Sequence, residues 1–154
     1  MNTPGKTLMV ATLLAGLLLP LAMQAQTARS GLLKEMMESA EPATLPPGIT
    51  VVRNVAYGSD PRQRFDVYAP AHAEHAPVIL LVHGGGWQRG DKAARGVIEN
   101  KIARWLPRGF IVISTNYRMR PDTAPLQQAQ DVARALALAQ NRAAEWGGDP
   151  ARFI

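Results

Sequence analysis

The residues with the clearest chemical potential are three consecutive glycines, Gly84, Gly85 and Gly86, which lie between His83 and Trp87. Glycine has no Cβ, so its backbone can take positive φ angles and approach a ligand closely. Such a turn can cradle a phosphate group, or it can direct backbone N–H groups at a negatively charged oxygen. The motif therefore predicts a loop that recognises an anion, and a purely structural turn is the third interpretation.

The spacing of the glycines distinguishes between the two chemistries. The dinucleotide fingerprint G-x-G-x-x-G fits Gly84 and Gly86 but would need a third glycine at Arg89. The P-loop pattern G-x-x-x-x-G-K-[ST] fits Gly85 and Gly90, but an acidic residue follows where lysine is required. Neither phosphate-binding pattern matches the sequence, and the motif H-G-G-G favours an oxyanion loop.

The elements that position this loop follow from the apolar runs around it. Residues 78–82 form a continuous apolar run, which is typical of a strand buried on both faces in a parallel sheet. A second such run, 110–114, predicts another strand, joined to the first by a helix over about 94–106 and therefore parallel to it. A long helix is predicted over about 126–146, and residues 152–154 predict the beginning of one more strand.

Upstream of the loop, residues 50–57 and 65–68 are two partly alternating runs separated by a turn cluster, Gly58-Ser59-Asp60-Pro61. This arrangement predicts an antiparallel hairpin at the edge of the sheet. The predicted fold class is thus α/β, with an edge β-hairpin, parallel strands and helical crossovers. A glycine-rich turn at the carboxyl end of a buried strand is where open α/β sheets place their sites.

The N-terminal segment predicts export. Lys6 provides a positive charge, residues 8–19 are apolar, and a stretch of mostly small residues ends at Ala25. We interpret residues 1–25 as a secretory signal peptide that directs the protein to the periplasm or the exterior, with an uncleaved anchor as the alternative. The apolar run is too short for a comfortable membrane span, so no span is expected in the mature protein.

The remainder divides into a lead-in and one domain. Residues 26–49 are rich in proline and predict one short helix, and residues 50–154 predict the folded domain. Cysteine is absent, which excludes disulfides and a thiolate nucleophile. The net charge is +5, but the basic residues are dispersed, so a nucleic-acid site is not expected. His72 and His75 lie in a loop with no third ligand nearby, and no metal or cofactor is expected.

With these pieces in order, the chain resembles the α/β-hydrolase superfamily over about residues 50–154. It is most similar to esterases of the hormone-sensitive-lipase and feruloyl-esterase-like (BD-FAE) type. The resemblance is carried by five blocks in the family's order, R-F-D-V-Y-A-P, P-V-I-L-L-V-H-G-G-G-W, G-D-K, G-F-I-V-I-S-T-N-Y-R and A-E-W-G-G-D-P-A-R-F-I.

The resemblance implies that the chain carries the N-terminal half of the α/β-hydrolase fold and ends before the nucleophile elbow. In the family, the block G-G-D-P-x-R leads into a strand and then into G-x-S-x-G, and the acid and histidine of the triad follow the serine. No serine of this sequence has glycines two residues before and two after it; the four are Ser30, Ser39, Ser59 and Ser114. We therefore expect the triad beyond Ile154 and expect this chain alone to be inactive.

The resemblance also assigns roles within the loop. The N–H groups of Gly85 and Gly86 would bind the oxyanion, and Gly84 would support them. His83 would hold the loop by hydrogen bonds rather than act as a general base, because a triad histidine requires an orienting carboxylate. Trp87 would be either a wall of the acyl pocket or a cap over the loop.

Five polar residues outside the glycines carry further expectations. Tyr117 and Arg118 are expected to tie the end of the second parallel strand to the loop. Asp131 is expected on a helix surface as the partner of a nearby arginine. Asp91 and Lys92 are expected to be solvated, with a role in positioning the crossover as the alternative.

The implied reaction is hydrolysis of a carboxylic ester, in which a serine attacks the carbonyl and water releases the acyl-enzyme. The substrate would be a small-molecule or polysaccharide-linked ester, with short acyl, acetyl and feruloyl esters and arylformamides left open. The alternative is a catalytically inactive fragment or binding module of the same fold.

Overall fold

The computed structural model describes residues 23–24, 26–31 and 43–154. The chain divides into two units, Met1–Glu38 and Ser39–Ile154. In the first unit, the described residues are helical. The predicted signal peptide lies almost entirely outside the described residues, and so does most of the Pro-rich lead-in with its predicted short helix. No helix in the described part of the chain is long and apolar enough to cross a membrane.

The second unit contains a five-stranded mixed sheet in the order β1-β2-β4-β3-β5. Its strands are β1 (Ile49–Ala56), β2 (Arg64–Pro70), β3 (Ala76–Val82), β4 (Ile111–Thr115) and β5 (Gly148–Phe153). The pairs β1–β2 and β2–β4 are antiparallel, whereas β4–β3 and β3–β5 are parallel. The predicted edge hairpin and the two predicted parallel strands are confirmed.

Two helices provide the crossovers. Helix α1 (Arg95–Trp105) connects β3 with β4, and helix α2 (Pro125–Asn141) connects β4 with β5. Because parallel neighbours require such connections, these helices explain how the loop after β3 and the segment after β4 come to the same edge of the sheet. This α/β arrangement is the predicted fold class.

The end of the second helix differs from the prediction. The sequence predicted one helix to residue 146, but α2 ends at Asn141 and a 3₁₀ turn, Ala143–Trp146, follows. The Trp146 ring packs edge-on against Phe65 with ring centroids 5.9 Å apart, and Gly147 stops the turn at φ 78°. Packing against the sheet thus sets the final turn, which the helical periodicity alone did not reveal.

The last strand also begins earlier than predicted. The strand was predicted to begin at residue 152, yet β5 already begins at Gly148. Pro150 is compatible with this position, because within the described residues β5 pairs on one side only, with β3.

The core has two layers, one on each face of the sheet. Since side chains alternate along a strand, Ile111 and Ile113 of β4 face one layer and Val112 faces the other. The first layer includes Ala135 and Ala139 of α2, whose small side chains let the helix approach the sheet, and the second includes Ile98 and Ile102 of α1 in addition. The sheet is therefore covered by a helix on both faces, as the apolar runs required.

Candidate active site

The glycine loop leaves the carboxyl end of β3 in an unusual backbone conformation. Gly85 has φ 124°, Gly86 has φ 63° and Trp87 has φ 67°. A non-glycine residue at positive φ costs on the order of 1–3 kcal/mol and persists only where its surroundings over-determine it. The loop is therefore a strained segment whose shape depends on the contacts that hold it.

A tight turn follows the first positive-φ residue. The carbonyl oxygen of Gly85 accepts hydrogen bonds from the N–H groups of Gln88, at 3.3 Å, and Arg89, at 3.2 Å. A Cβ at Gly85 would lie 1.8 Å from the carbonyl oxygen of Arg89, so only glycine fits there. Gly86 has no heavy atom within 4 Å of the corresponding position.

The amide groups of this turn are open. Gly85 and Gly86 are exposed, and within the part of the chain that the structure describes their N–H groups donate no hydrogen bond. Two neighbouring N–H groups at the carboxyl end of a parallel strand, neither of them used by the fold, are suited to binding a negatively charged oxygen. The structure thus brings together the two residues that the sequence predicted for this task.

His83 lies beneath the loop. Its side chain is 3% exposed, and Nδ1 lies 2.8 Å from the carbonyl oxygen of Gly84. A carbonyl only accepts, so Nδ1 carries the hydrogen of this bond. Within residues 43–154, Nε2 is buried without a partner and no carboxylate contacts the ring. The ring holds the first carbonyl of the loop, and the orienting carboxylate that a triad histidine needs is not among its contacts.

The loop packs closely on this ring from the other side. A Cβ at Gly90, which has φ 126°, would lie 2.3 Å from Nδ1 of His83 and 2.6 Å from the carbonyl oxygen of Gly84. Gly90 is therefore a second position at which the absence of a side chain lets the loop close over the histidine.

The middle of the loop is held by the segment after β4 and by α2. The carbonyl oxygen of Trp87 accepts hydrogen bonds from the N–H of Arg120, at 2.9 Å, and from Nε2 of Gln128, at 3.1 Å. Its indole ring meets the Tyr117 ring edge-on, with centroids 6.2 Å apart, and stays half exposed. Trp87 thus packs against Tyr117 and remains half exposed.

At the end of the loop, one prediction was wrong. Lys92 was expected to be solvated, but it is 6% exposed, and its ammonium group lies 2.6 Å from the carboxylate of the fully buried Asp66. Asp91 does remain exposed, although its carboxylate accepts hydrogen bonds from the side chain of Asn116 and the N–H of Ala93. Partial burial alone would raise the pKa of the Asp91 carboxyl, but these hydrogen bonds outweigh it and the pKa lies below its usual range.

The location predicted for a second carboxylate was also wrong. Asp131 was expected on the surface of α2, but it is fully buried and accepts hydrogen bonds from the N–H, Nε and Nη2 of Arg118 and from Nε2 of Gln63. Burial raises the pKa of the Asp131 carboxyl, yet the hydrogen bonds from Arg118 and Gln63 outweigh burial and lower it. The arginine partner was predicted correctly; Arg118 ties the segment after β4 to α2.

Metal ligation finds no support in the geometry of the described residues. They contain no group of three or more histidine, cysteine, aspartate or glutamate side chains that could hold a metal ion. His72 and His75 are both exposed in the loop before β3, and His75 has φ 46°.

A helix-covered sheet whose central parallel strand ends in an open glycine loop defines a domain of the α/β-hydrolase class. Residues 65–154 match the BD-FAE family, and the chain belongs to that family.

Solved esterases support the same class. The chain is 27% identical to esterase B from Lactobacillus rhamnosis, with a TM-score of 0.62 over 88% of this chain and 42% of that chain. A bacterial heroin esterase is 28% identical, with a TM-score of 0.59 over 84% of this chain and 40% of that chain.

Curated relatives give the same picture. The chain is 34% identical over 104 residues to a probable isoprenylcysteine alpha-carbonyl methylesterase, ICMEL1, of Oryza sativa subsp. japonica, which covers 67% of this chain and 24% of that protein. It is 33% identical to esterase LipC of Mycobacterium tuberculosis over 63% of this chain and 24% of that protein. The chain thus spans about a quarter of the length of these relatives.

Proposed function

We propose that the full-length protein is a serine-type carboxylic-ester hydrolase and that this chain supplies its oxyanion hole through the N–H groups of Gly85 and Gly86. One observation carries the proposal: both amides are exposed and donate no hydrogen bond within the described residues, although the loop around them is held at both ends and in the middle. Donors fixed in advance stabilise charge that develops in the transition state, and the loss of one typically costs about 3 kcal/mol.

The neighbouring residues would support these donors. His83 holds the carbonyl of Gly84 and so fixes the plane of the peptide that leads into Gly85. Trp87 covers the loop with one part of its ring and offers the rest to the acyl group of a substrate. His83 in this role is a support and not a general base.

The reaction would proceed through an acyl-enzyme. A serine hydroxyl attacks the ester carbonyl, the carbonyl oxygen becomes negatively charged between the two amides, the alcohol leaves, and water releases the acid. We place the serine, its histidine and the acid beyond Ile154, because residues 1–154 contain no G-x-S-x-G. No cofactor is required. The substrate would be a small-molecule or polysaccharide-linked ester, met after export directed by residues 1–25.

Turnover of p-nitrophenyl acetate by the chain of residues 1–154 and by the full-length protein tests this proposal. We expect hydrolysis by the full-length protein, and labelling of one serine beyond residue 154 by a fluorophosphonate. Hydrolysis by residues 1–154 alone would overturn our placement of the nucleophile. Absence of turnover and of labelling in the full-length protein would overturn the esterase proposal itself.

A catalytically inactive binding module is the second candidate, and the absence of G-x-S-x-G from residues 1–154 favours it. The two candidates differ in the fluorophosphonate experiment. A module that binds esters without cleaving them would remain unlabelled, yet a phosphonate analogue would still raise its melting temperature.

A further inference from the structure

A buried ion pair connects the end of the glycine loop with the antiparallel part of the sheet. Oδ1 of Asp66, in the middle of β2, lies 2.6 Å from Nζ of Lys92, and the two side chains are 0% and 8% exposed. The same carboxylate accepts hydrogen bonds from the N–H of Asn54, at 2.8 Å, and from Nη1 of Arg53, at 3.2 Å. Lys92 thus provides the nearest of the two charges that balance this buried carboxylate.

The backbone of Lys92 is held as well. Its N–H donates to Oδ1 of Asn116 at 2.7 Å, and its carbonyl oxygen accepts from the hydroxyl of Ser114 at 2.8 Å. Both partners lie at the carboxyl end of β4. Asp66 belongs to β2. Lys92, at the exit of the loop, is therefore held by two different strands through three of its atoms, the backbone nitrogen, the carbonyl oxygen and Nζ.

A fixed exit matters because the loop contains a strained residue. Between His83 and Lys92, four residues have positive φ angles, and one of them is a tryptophan. Glycine tolerates positive φ, but at Trp87 this conformation persists only where surrounding contacts over-determine it. Tyr117 fixes the entrance through the carbonyl of His83, Arg120 and Gln128 hold the middle through the carbonyl of Trp87, and Lys92 fixes the exit that follows.

Stability alone is a poor explanation for this pair. The cost of removing two charges from water can exceed their attraction, and uncharged replacements of a buried ion pair are often neutral or stabilising. What a short ion pair between two buried groups does provide is a defined geometry. The pair is therefore better explained by the position that it imposes than by the free energy of unfolding that it contributes.

We propose that Asp66 and Lys92 are positioning residues of the oxyanion loop, which fix its exit and thereby direct the N–H groups of Gly85 and Gly86 at the substrate oxygen. This inference rests on the proposed esterase function for its catalytic consequence. Neither side chain needs to touch the substrate.

The test uses the full-length protein and the double variant Asp66→Asn/Lys92→Met, which removes both charges and leaves no buried charge unpaired. Urea denaturation measures stability, hydrogen exchange measures the loop amides relative to those of β4, and p-nitrophenyl acetate gives kcat and KM. The variant Ile102→Ala is the control, because it loses buried packing on α1 at a distance from the loop.

We expect Lys92→Met alone to lose most stability and the double variant to regain it. In the double variant the loop amides should still exchange faster than in the wild type, and kcat should fall about 10- to 100-fold with KM nearly unchanged, as small misplacements of catalytic groups cause. Ile102→Ala should lose stability without a selective change in the loop. Lys92→Arg keeps the charge but not the length, so it should retain stability while kcat falls.

Two results would overturn the inference: a double variant whose loop amides exchange as in the wild type, or a double variant whose kcat falls no more than that of Ile102→Ala. Should the double variant fail to fold, Lys92→Arg decides, because wild-type exchange and kcat in that variant would contradict the role. If the wild-type protein hydrolyses no ester, the proposed function fails, whereas the exchange comparison still tests whether the pair positions the loop.

Discussion

The hydroxyl of Tyr117 donates a hydrogen bond to the carbonyl oxygen of His83 at 3.0 Å, while the two rings stack with centroids 4.7 Å apart. One side chain from the end of β4 therefore holds both the backbone and the imidazole of the residue that begins the glycine loop. The expected role of Tyr117 in tying strand to loop is confirmed by these contacts.

Tyr117→Phe should separate the two contacts, because it removes the hydroxyl and keeps the stacked ring. The carbonyl of His83 loses this donor in a buried site, so we expect the free energy of unfolding to fall by about 1–3 kcal/mol, measured in urea. Tyr57→Phe is the matched control. Its hydroxyl donates to the carbonyl of Asn116 at 2.6 Å, but that oxygen also accepts from the hydroxyl of Thr115 and keeps a partner. Equal losses in the two variants would contradict this account.

The three consecutive glycines should respond differently to alanine. Gly85→Ala places a methyl group 1.8 Å from the carbonyl of Arg89 at φ 124°, so the loop must rearrange. Gly86→Ala meets no atom and should cost only the left-handed conformation, roughly 1–2 kcal/mol. Gly84→Ala has neither a clash nor a positive φ and serves as the control.

Thermal unfolding of the three variants provides the measurement. We expect the melting temperature to decrease in the order Gly84→Ala, Gly86→Ala, Gly85→Ala, with ester turnover of the full-length protein lowest in the last. A Gly85→Ala variant as stable as Gly84→Ala would show that the turn over residues 85–89 is not rigid.

The sequence was sufficient to predict the parallel strands and the loop, since their signals are local. The apolar run 78–82 specifies a strand with both faces covered, and the glycines directly after it specify a turn that no other residue type could form at Gly85. The hairpin and the first crossover helix followed from equally local patterns.

The buried charges could not be placed in the same way, because their partners are distant in sequence. Lys92 is buried by Asp66, which is 26 residues away, and Asp131 is held by Gln63, which is 68 residues away. One signal was present: Asp66 stands between Phe65 and Val67 in a strand that packs on both faces, and a carboxylate there requires a partner. The sheet topology determines which positively charged side chain pairs with this carboxylate.

Asp131→Asn should remove a contribution to the free energy of unfolding that the wild-type protein loses at acid pH. The pKa of Asp131 is lower in the folded protein, so its contribution is complete above the ordinary aspartate pKa of about 3.9 and is lost as the pH falls through the folded value. At neutral pH the variant leaves Arg118 without its carboxylate, so the free energy of unfolding should fall.

The difference in unfolding free energy between wild type and Asp131→Asn is the quantity to follow from pH 7 down to about pH 2. It should be largest at neutral pH and shrink below about pH 4. Glu145→Gln, which affects an exposed pair with Arg142, is the control and should change stability little. A difference that stays constant over this range would mean that the Asp131 carboxylate is not stabilised by folding.

Buried tyrosines should limit stability at the alkaline end. Burial raises the pKa of Tyr57, Tyr68 and Tyr117, and the carboxylates of Asp131 and Asp66 add to this effect at Tyr57 and Tyr68. A raised pKa in the folded state gives stability that is complete below the ordinary tyrosine value of about 10 and is lost as the pH rises through the folded values. We therefore expect the free energy of unfolding to fall steadily above pH 10.

Tyrosinate absorbance at 295 nm and circular dichroism, recorded together as the pH is raised, test this expectation. The absorbance of the three tyrosines, which are the only tyrosines in the sequence, should appear together with loss of structure rather than before it. After correction for its stability at pH 8, the variant Tyr57→Phe should unfold at a higher alkaline pH than the wild type. The reason is that one tyrosine whose ionisation is suppressed by folding has been removed. Ionisation of all three tyrosines near pH 10 in a protein that keeps its circular dichroism would show that their hydroxyls are open to solvent. That result would also contradict the hydrogen bond from Tyr117 to the loop.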